Sequence, residues 1–264
     1  MSKFDTRKTA VFNILTLKKE LSVQEASDLL GTSPATTRRF FERFAAEGQV
    51  VRMHGGIKLV PESKGTYSYI LSNTRRIEQK AVIAERAATM VESGDLLFLD
   101  SGTTLLKMAE ALDKRLQADS LEGIVVVTNS LVSYEKLSEN CRVILVGGEV
   151  RLNRRDTYGQ VAENALKSLH LHKSFFGADA IHPQRGLMAT DEWTCRMNDI
   201  VRINSDSVIV LSDSEKFGRS SLLSYGPLDS VDLIITDEGI TEEELSPYRS
   251  TGAKIEIVSE ERSN

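Results

Sequence analysis

The residues best suited to chemistry form a short polar run at positions 100–104. The run joins an apolar segment, 96–99, to an amphipathic one, 105–116, so it lies between a predicted strand and the start of a predicted helix. Glycine lets a ligand approach the backbone, and the free N–H groups, hydroxyls and dipole of a helix start attract an anion. The run therefore predicts a phosphate cradle, and an ordinary helix cap is the alternative. Its residues are Asp100, Ser101, Gly102, Thr103 and Thr104.

Three further polar loops follow predicted strands. Asn129 lies between Thr128 and Ser130, in a loop that could bond sugar hydroxyls or cap the next helix. Gly147 and Gly148 leave room for a ligand or permit a tight turn. Lys216, in the segment 213–219, offers a cation to an anionic ligand, and an ordinary surface lysine is the alternative.

These loops need a sheet to bring them together. From residue 76 onward short apolar segments alternate with amphipathic ones, which predicts an α/β domain of β-α-β units with a mainly parallel sheet. Ligands bind such sheets where loops leave the carboxyl ends of the strands, so we expect the polar loops to meet there. The predicted helices are 76–91, 105–116 and 131–137, and the predicted strands are 96–99, 124–127, 143–146, 208–211, 233–235 and 255–258.

A different pattern occupies the first sixty residues. Apolar spacing predicts a helix over 5–17, and Ser22 with Glu25 forms a capping box that opens a second helix. Ser33 then caps a third helix, with Pro34 at its first position, where a missing N–H costs nothing. Three helices with a tight turn between the second and third indicate a helix-turn-helix domain.

The third helix has two distinct faces. Thr37 and three apolar residues share the face that must pack on the other helices. Thr36, Arg38 and Arg39 project elsewhere and are available to a DNA groove. The following segment, 49–60, contains two β-prone runs around a Gly-Gly pair, which predicts a hairpin that we interpret as a wing.

The charge of this part of the chain suits DNA. The whole chain has a net charge of −5, yet residues 1–60 carry ten Lys and Arg against six Asp and Glu. A local basic surface is what phosphate contacts require, and ordinary solvated charge is the alternative. Arg52 and His54 lie along the predicted wing, and for His54 a contact with the DNA backbone and simple exposure to solvent are both open.

Composition favours an ordinary globular protein of two unequal domains, since the 264 residues are 41% hydrophobic and 27% charged. The chain shows no apolar run long enough for a membrane span and no signal peptide, so we expect it in the cytoplasm. Cys141 and Cys195 show no disulfide or zinc spacing, and we expect both in the core. A breaker-rich stretch divides the chain into a DNA-binding domain, 1–60, a linker, 61–74, and a larger domain, 75–264.

Residues of the helix-turn-helix and the wing resemble those of a known family. The run Ser33-Pro-Ala-Thr-Thr-Arg-Arg39, followed by Glu47-Gly48, Arg52 and His54-Gly-Gly56, resembles the winged helix-turn-helix of the DeoR family of sugar-catabolism regulators. Resemblance and helix geometry together place three of these side chains, Thr36, Arg38 and Arg39, in the major groove. The expected DNA-binding residues are Ser33, Pro34, Thr36, Arg38, Arg39, Arg52 and His54.

The larger domain resembles the DeoR sensor domain in the type and order of its loops, among them Gly177-Ala-Asp179 and Gly186-Leu187. In that family the sensor is similar to ribose-5-phosphate isomerase and binds phosphorylated sugars or their breakdown products. The resemblance therefore implies that residues 100–104 hold phosphate, while Asn129, Asp179 and Lys216 meet the sugar end. It also implies a repressor of carbohydrate catabolism whose operator affinity changes with the effector. Arg75 or Arg76, together with Lys80, resembles the family's helix that precedes the sensor, without an implied role.

Two other classes compete with this interpretation. An isomerase-like pocket with Asp179, Glu192 and Lys216 could move a proton through an enediolate, yet Asp191 and Glu192 also suit the start of the following helix. We expect no catalysis, cofactor or metal. An interaction protein that uses its helix-turn-helix for protein contacts would lack the steep salt dependence of DNA binding. Because two recognition helices must match two half-sites, we expect a homodimer or homotetramer.

Overall fold

The computed structural model describes residues 3–46, 50–59, 69–118 and 120–259. The chain divides into two compact units, residues 1–75 and 76–264. Residues 61–68 of the expected linker lie outside the described residues, and its remainder contains a short helix rather than irregular chain. Within the described residues no helix is both long and apolar enough to cross a membrane.

The first unit contains three helices, a small sheet and one further short helix. Its elements in chain order are α1 (Lys3–Lys18), β1 (Glu20–Ser22), α2 (Val23–Leu30), α3 (Pro34–Ala46), β2 (Val50–Met53), β3 (Gly56–Leu59) and α4 (Tyr69–Asn73).

Local signals place the helices of this unit as the sequence predicts. The Ser22 hydroxyl accepts from the Glu25 N–H at 3.2 Å, and Glu25 accepts from the Ser22 N–H at 3.0 Å, which completes the capping box that begins α2. Gly31, in a left-handed conformation, ends α2. The Ser33 hydroxyl accepts from the Thr36 N–H at 3.3 Å where α3 begins. The helix-turn-helix prediction is confirmed for the described residues, and Gly48, its expected end, lies outside them.

The wing has three strands rather than two. Strand β1 pairs antiparallel with β3, which also pairs with β2, so β3 is central. Gly56 makes this close pairing possible, because a Cβ there would lie 2.4 Å from the Leu21 carbonyl oxygen. The hairpin was predicted, but β1 was not.

Phenylalanines fill the core of the first unit. Phe12, Phe41 and Phe44 are fully buried, and Phe40, which helical spacing did not assign to the packed face, is buried with them. Buried Thr37 shares hydrogen bonds with the hydroxyls of Ser27 and Thr32, which satisfies its polar group inside the core.

The second unit is an α/β domain. Its elements in chain order are α5 (Ile77–Ala88), β4 (Leu96–Leu99), α6 (Thr103–Gln117), β5 (Val125–Thr128), α7 (Leu131–Leu137), β6 (Arg142–Leu145), β7 (Glu149–Arg151), β8 (Asp156–Tyr158), α8 (Gln160–Lys167), β9 (Leu171–Phe176), β10 (Ala180–His182), β11 (Gly186–Ala189), α9 (Glu192–Ile203), β12 (Ser205–Leu211), β13 (Leu223–Gly226), β14 (Leu233–Asp237), α10 (Glu242–Arg249) and β15 (Ile255–Val258).

A seven-stranded parallel sheet organises the second unit, in the order β15-β14-β12-β9-β4-β5-β6. A β7–β8 hairpin and a three-stranded antiparallel sheet, β10-β11-β13, are added to it. The prediction of a mainly parallel sheet is therefore confirmed.

Both faces of this sheet are covered. One buried cluster joins Phe98 and Phe176 to side chains of α8, α9 and α10, and the other joins Leu97 and Phe175 to α5 and α6. Neighbouring residues on a strand thus point into different cores. Cys141 and Cys195 are half-buried at the margins of these clusters rather than inside them, so the expectation of two core cysteines is wrong.

Candidate functional site

The exposed face of α3 is the candidate DNA-binding surface. Ser33 and Pro34 start the helix, and the side chains of Thr36, Arg38 and Arg39 are exposed. Neither arginine forms an ion pair with the part of the chain that the structure describes. Guanidinium groups without a carboxylate partner can meet guanine edges or phosphate oxygens at no cost in lost ion pairs.

The wing extends this basic surface. Arg52 in β2 donates from Nη1 to Glu42 Oε1 at 3.0 Å, so its guanidinium already ties the wing to α3. His54 lies exposed in the turn between β2 and β3. The structure thus places these two residues on the same hairpin, Arg52 in a strand and His54 in the turn, and of the two His54 lacks a described partner.

The candidate effector site is the carboxyl edge of the parallel sheet. Five adjacent strands, β12, β9, β4, β5 and β6, lead in that order into the loops of the predicted residues. These residues are Lys216, Asp179, the run 100–104, Asn129, and the pair Gly147 and Gly148.

The start of α6 offers unused hydrogen-bond donors. Gly102 is the N-cap residue and supplies no side-chain bond to the free N–H groups of this 15-residue helix. Thr103 and Thr104 are only 5% and 8% exposed, and their hydroxyls make no hydrogen bond within the described chain. Ser101 differs from them, because its hydroxyl donates to Asp156 Oδ2 at 3.0 Å.

Asn129 brings an unused acceptor close to these donors along the sheet edge. The residue is 4% exposed, and its Nδ2 donates weakly to the Thr157 carbonyl at 3.4 Å. Its Oδ1 is buried without a hydrogen-bond partner. A buried amide oxygen of this kind costs free energy unless a water or ligand bonds to it.

The two glycines after β6 differ in the space that a side chain would find there. At Gly148, with φ 147°, a Cβ would lie 2.3 Å from the Tyr158 carbonyl oxygen, so a close approach to β8 requires it. At Gly147 a Cβ would meet nothing within 4 Å. The tight-turn alternative therefore applies to Gly148, and open space lies beside Gly147.

Asp156 is the centre of a buried ion cluster that the sequence did not reveal. Its carboxylate is 0% exposed and accepts from Arg151 Nε and Nη2 at 2.8 and 2.7 Å, besides the Ser101 hydroxyl. Arg154 Nε lies 3.7 Å from the same carboxylate. Asp156 thus joins the arginines of the β7–β8 hairpin to Ser101, in the loop that begins α6.

The same two arginines reach α9. Arg151 Nη1 and Arg154 Nη1 lie 2.8 and 3.1 Å from the carboxylate oxygens of Asp191, the N-cap residue of α9. Arg154 Nη1 also donates to the Thr190 hydroxyl at 3.2 Å. Thr190 in turn donates its N–H and hydroxyl to Asp179 Oδ2, both at 2.8 Å.

Together with the contacts of Asp100, these hydrogen bonds form a closed circuit that we term the polar ring. Asp100 Oδ1 accepts from the Ser101 N–H at 2.7 Å, and Oδ2 accepts from the Gly177 N–H at 3.3 Å, two residues before Asp179. The ring contains four carboxyl groups and two guanidinium groups, and both guanidinium groups pair with carboxylates of the ring. Its members are Asp100, Ser101, Asp156, Arg151, Asp191, Arg154, Thr190, Asp179 and Gly177.

Burial raises the pKa of Asp100 to about 6, against an ordinary value of 3.8. The folded protein therefore holds a proton that the unfolded chain releases between about pH 4 and 6, so Asp100 favours folding at low pH and opposes it as pH rises through 6. We expect the free energy of unfolding of the native chain to fall by about 2 kcal/mol relative to Asp100→Asn between pH 4 and 7.

Urea unfolding followed through the fluorescence of Trp193, the single tryptophan, checks this. Parallel pH profiles for the two proteins would contradict the assignment.

Glu192 does not enter the candidate site. Its exposed carboxylate pairs with Arg196, and its neighbour Asp191 accepts from the Thr194 N–H at 3.0 Å to begin α9. The helix-start alternative is therefore the one the geometry favours over a catalytic base. Within the described ranges, no group of three or more His, Cys, Asp and Glu side chains could hold a metal ion.

Comparison with known proteins agrees with both halves of this description. The family model for the DeoR C terminal sensor domain matches residues 75–238, and that for the DeoR-like helix-turn-helix domain matches residues 7–63. Ribose 5-phosphate isomerase A from Methanocaldococcus jannaschii is 18% identical, with a TM-score of 0.40 over 52% of this chain and 53% of that one.

Full-length relatives share both parts. A protein of Escherichia coli O157:H7, described as a candidate transcriptional repressor of the aga operon, is 28% identical over 96% of this chain and 94% of its own. The transcriptional regulator GlpR of Haloferax volcanii is 28% identical over 94% and 96%. These relatives are named as regulators, not enzymes. The chain therefore belongs to the DeoR family of transcriptional regulators, with a DNA-binding helix-turn-helix domain followed by an effector-binding sensor domain.

Proposed function

We propose that the protein represses an operon for carbohydrate catabolism and that a phosphorylated sugar, or a related metabolite, binds the carboxyl edge of its sheet and alters operator affinity. A homodimer or homotetramer would place two α3 helices on two half-sites. The DNA contacts are assigned to Ser33, Pro34, Thr36, Arg38, Arg39, Arg52 and His54.

The start of α6 carries the effector proposal. Free N–H groups and the unbonded hydroxyls of Thr103 and Thr104, two residues that are largely buried, form a donor set that fits phosphate oxygens. Asn129 Oδ1 and the Asp179 carboxylate are acceptors that fit sugar hydroxyls. The polar ring commits both of its arginines to carboxylates, whereas Lys216 forms no ion pair within the described residues, so Lys216 is assigned to neutralise the phosphate. Asp100, Ser101, Gly102, Gly147 and Gly148 complete the assigned site.

The test is a calorimetric titration of the full chain with sugar phosphates, each beside its unphosphorylated sugar. We expect one phosphorylated compound to bind and Lys216→Ala to weaken it about 10- to 100-fold, the effect of losing a charged hydrogen bond. Lys167→Ala, which removes an exposed lysine at the end of α8, is the matched control and should bind normally.

The same compound should change the affinity of the chain for its DNA, since an effector acts only through different affinities for two states. Binding of free sugars alone, or equal affinity in Lys216→Ala, would overturn the phosphate assignment. Unchanged DNA affinity at saturation would overturn the regulatory role of the compound.

A further inference from the structure

Arg76 holds together two loops at the carboxyl edge of the sheet. It is the N-cap residue of α5 and adopts a left-handed backbone, with φ 52°, that is uncommon outside glycine. Its Nη2 donates to Asp237 Oδ2 at 2.6 Å and to the Ser214 hydroxyl at 2.9 Å. Asp237 ends β14 and Ser214 follows β12, so one guanidinium bridges the loops of two neighbouring strands.

Two more carboxylates surround the same guanidinium. Asp213 Oδ1 lies 3.8 Å from Nε, and Glu215 Oε1 lies 3.6 Å from Nη1. The arrangement is closely packed, because a Cβ on Gly239 would lie 2.4 Å from the Ser214 hydroxyl and 3.1 Å from Arg76 Nη2. A planar guanidinium can face several acceptors at once, which a lysine ammonium on a flexible stem does less well.

Lys216 closely follows two of these acids in the chain but pairs with none of the described acids. It ends the short 3₁₀ turn Ser214–Lys216, whose first residue follows Asp213 and whose second is Glu215. Within the described chain its half-buried side chain forms no ion pair, although Asp213 and Glu215 lie within three residues. Both of these carboxylates face Arg76, and Glu215 also pairs with Arg219 at 3.2 Å.

We propose that Arg76 is a positioning residue of the effector site: it fixes the turn after β12 and occupies the carboxylates that would otherwise capture Lys216. The Lys216 ammonium is thereby left for an anionic effector. This inference rests on the proposed role of Lys216, and it gives Arg76 a function in binding without contact with the effector.

The first measurement is the rate at which an N-hydroxysuccinimide ester acetylates Lys216, read by peptide mass spectrometry with Lys167 as internal reference. In Arg76→Gln the freed carboxylates should pair with Lys216, and its acetylation should slow several-fold. Mere loosening of the turn would expose the amine and speed acetylation, so the sign separates positioning from a structural role. Arg86→Gln is the control. Arg86 lies on α5, the helix that Arg76 caps, and it forms an ion pair with Glu256 of β15.

Rescue sharpens the test. Adding Asp213→Asn and Glu215→Gln to Arg76→Gln removes the competing charges and should restore the acetylation rate. Arg76→Lys, which keeps one positive charge, should slow acetylation less than Arg76→Gln does, and it carries the test if Arg76→Gln fails to fold. Unchanged or faster acetylation in folded Arg76→Gln, or in Arg76→Lys if Arg76→Gln fails to fold, would overturn the proposal.

A second arm uses inorganic phosphate as the probe. We expect its affinity to fall about tenfold in Arg76→Gln and to stay normal in Arg86→Gln. If the native chain does not bind phosphate while acetylation of Lys216 still slows in Arg76→Gln, the proposed effector class is wrong and the positioning role of Arg76 stands. If phosphate binds equally well to the native chain and to Arg76→Gln, the positioning role is wrong.

Discussion

Replacement of Arg38 and Arg39 together by alanine should remove sequence-specific DNA binding and leave the fold intact. Both side chains are exposed on α3 without an ion pair in the described chain, so their loss breaks no described ion pair. A good arginine contact with a guanine edge contributes about 1–3 kcal/mol of discrimination, so the double variant should lose at least about 30-fold in preference for its operator.

The measurement is fluorescence anisotropy with a duplex that the native chain selects from a random pool, against a scrambled duplex at several salt concentrations. Arg142→Ala with Lys254→Ala removes the same charge from exposed positions of the second unit and serves as control. A preference for the selected duplex that survives in the double variant would show that α3 does not read the bases.

Asp156→Ala should strongly destabilise the sensor domain. The carboxylate is fully buried and holds Arg151 at 2.7 Å, with Arg154 close by. Removing one partner of a buried ion cluster leaves uncompensated charge inside the protein, which costs about 3–5 kcal/mol. Urea unfolding followed by Trp193 fluorescence measures this loss of unfolding free energy.

Asp199→Ala provides the comparison. Asp199 pairs with Arg202 at 2.6 Å but is 47% exposed, so its loss should cost less than about 1 kcal/mol. Equal, small losses in the two variants would mean that the polar ring adds nothing to stability.

The parts of the fold that the sequence predicts are those set by interactions between near neighbours in the chain. The capping box at Ser22, the turn at Gly31 and the start of α3 at Ser33 and Pro34 depend on neighbours within four residues, and the structure confirms them. Strand β1 could not be found in this way, because three residues become a strand only by pairing with β3, more than thirty positions away.

The central strand of the large sheet was missed for a related reason. In the strand Leu171–Phe176 the first residue is followed by three polar ones, which gives no strand periodicity. Lys173 is accommodated by Asp95 at 2.9 Å, and Ser174 bonds with Ser205, so partners from other elements make the strand possible. Burial between β4 and β12 then outweighs weak propensity.

The candidate site also has a part that the sequence predicts and a part that only the tertiary fold shows. Loops that follow strands were predictable, because parallel strands deliver their carboxyl ends to one edge. The polar ring was not, since Arg151 meets Asp191 across forty positions of sequence. Two arginines and an aspartate in a short hairpin, at Arg151, Arg154 and Asp156, were the available signal, and only the tertiary fold shows what they hold.

The central position of β3 in the wing has a mechanical consequence. The chain leaves the sheet of the first unit from β3, which is hydrogen-bonded to β1 on one side and β2 on the other. A pull along β3 therefore loads two ladders at once, whereas a pull along an outer strand would load one. Because β1 lies between α1 and α2 in the chain, tension applied at Leu59 is carried through the β1–β3 ladder to both of these helices.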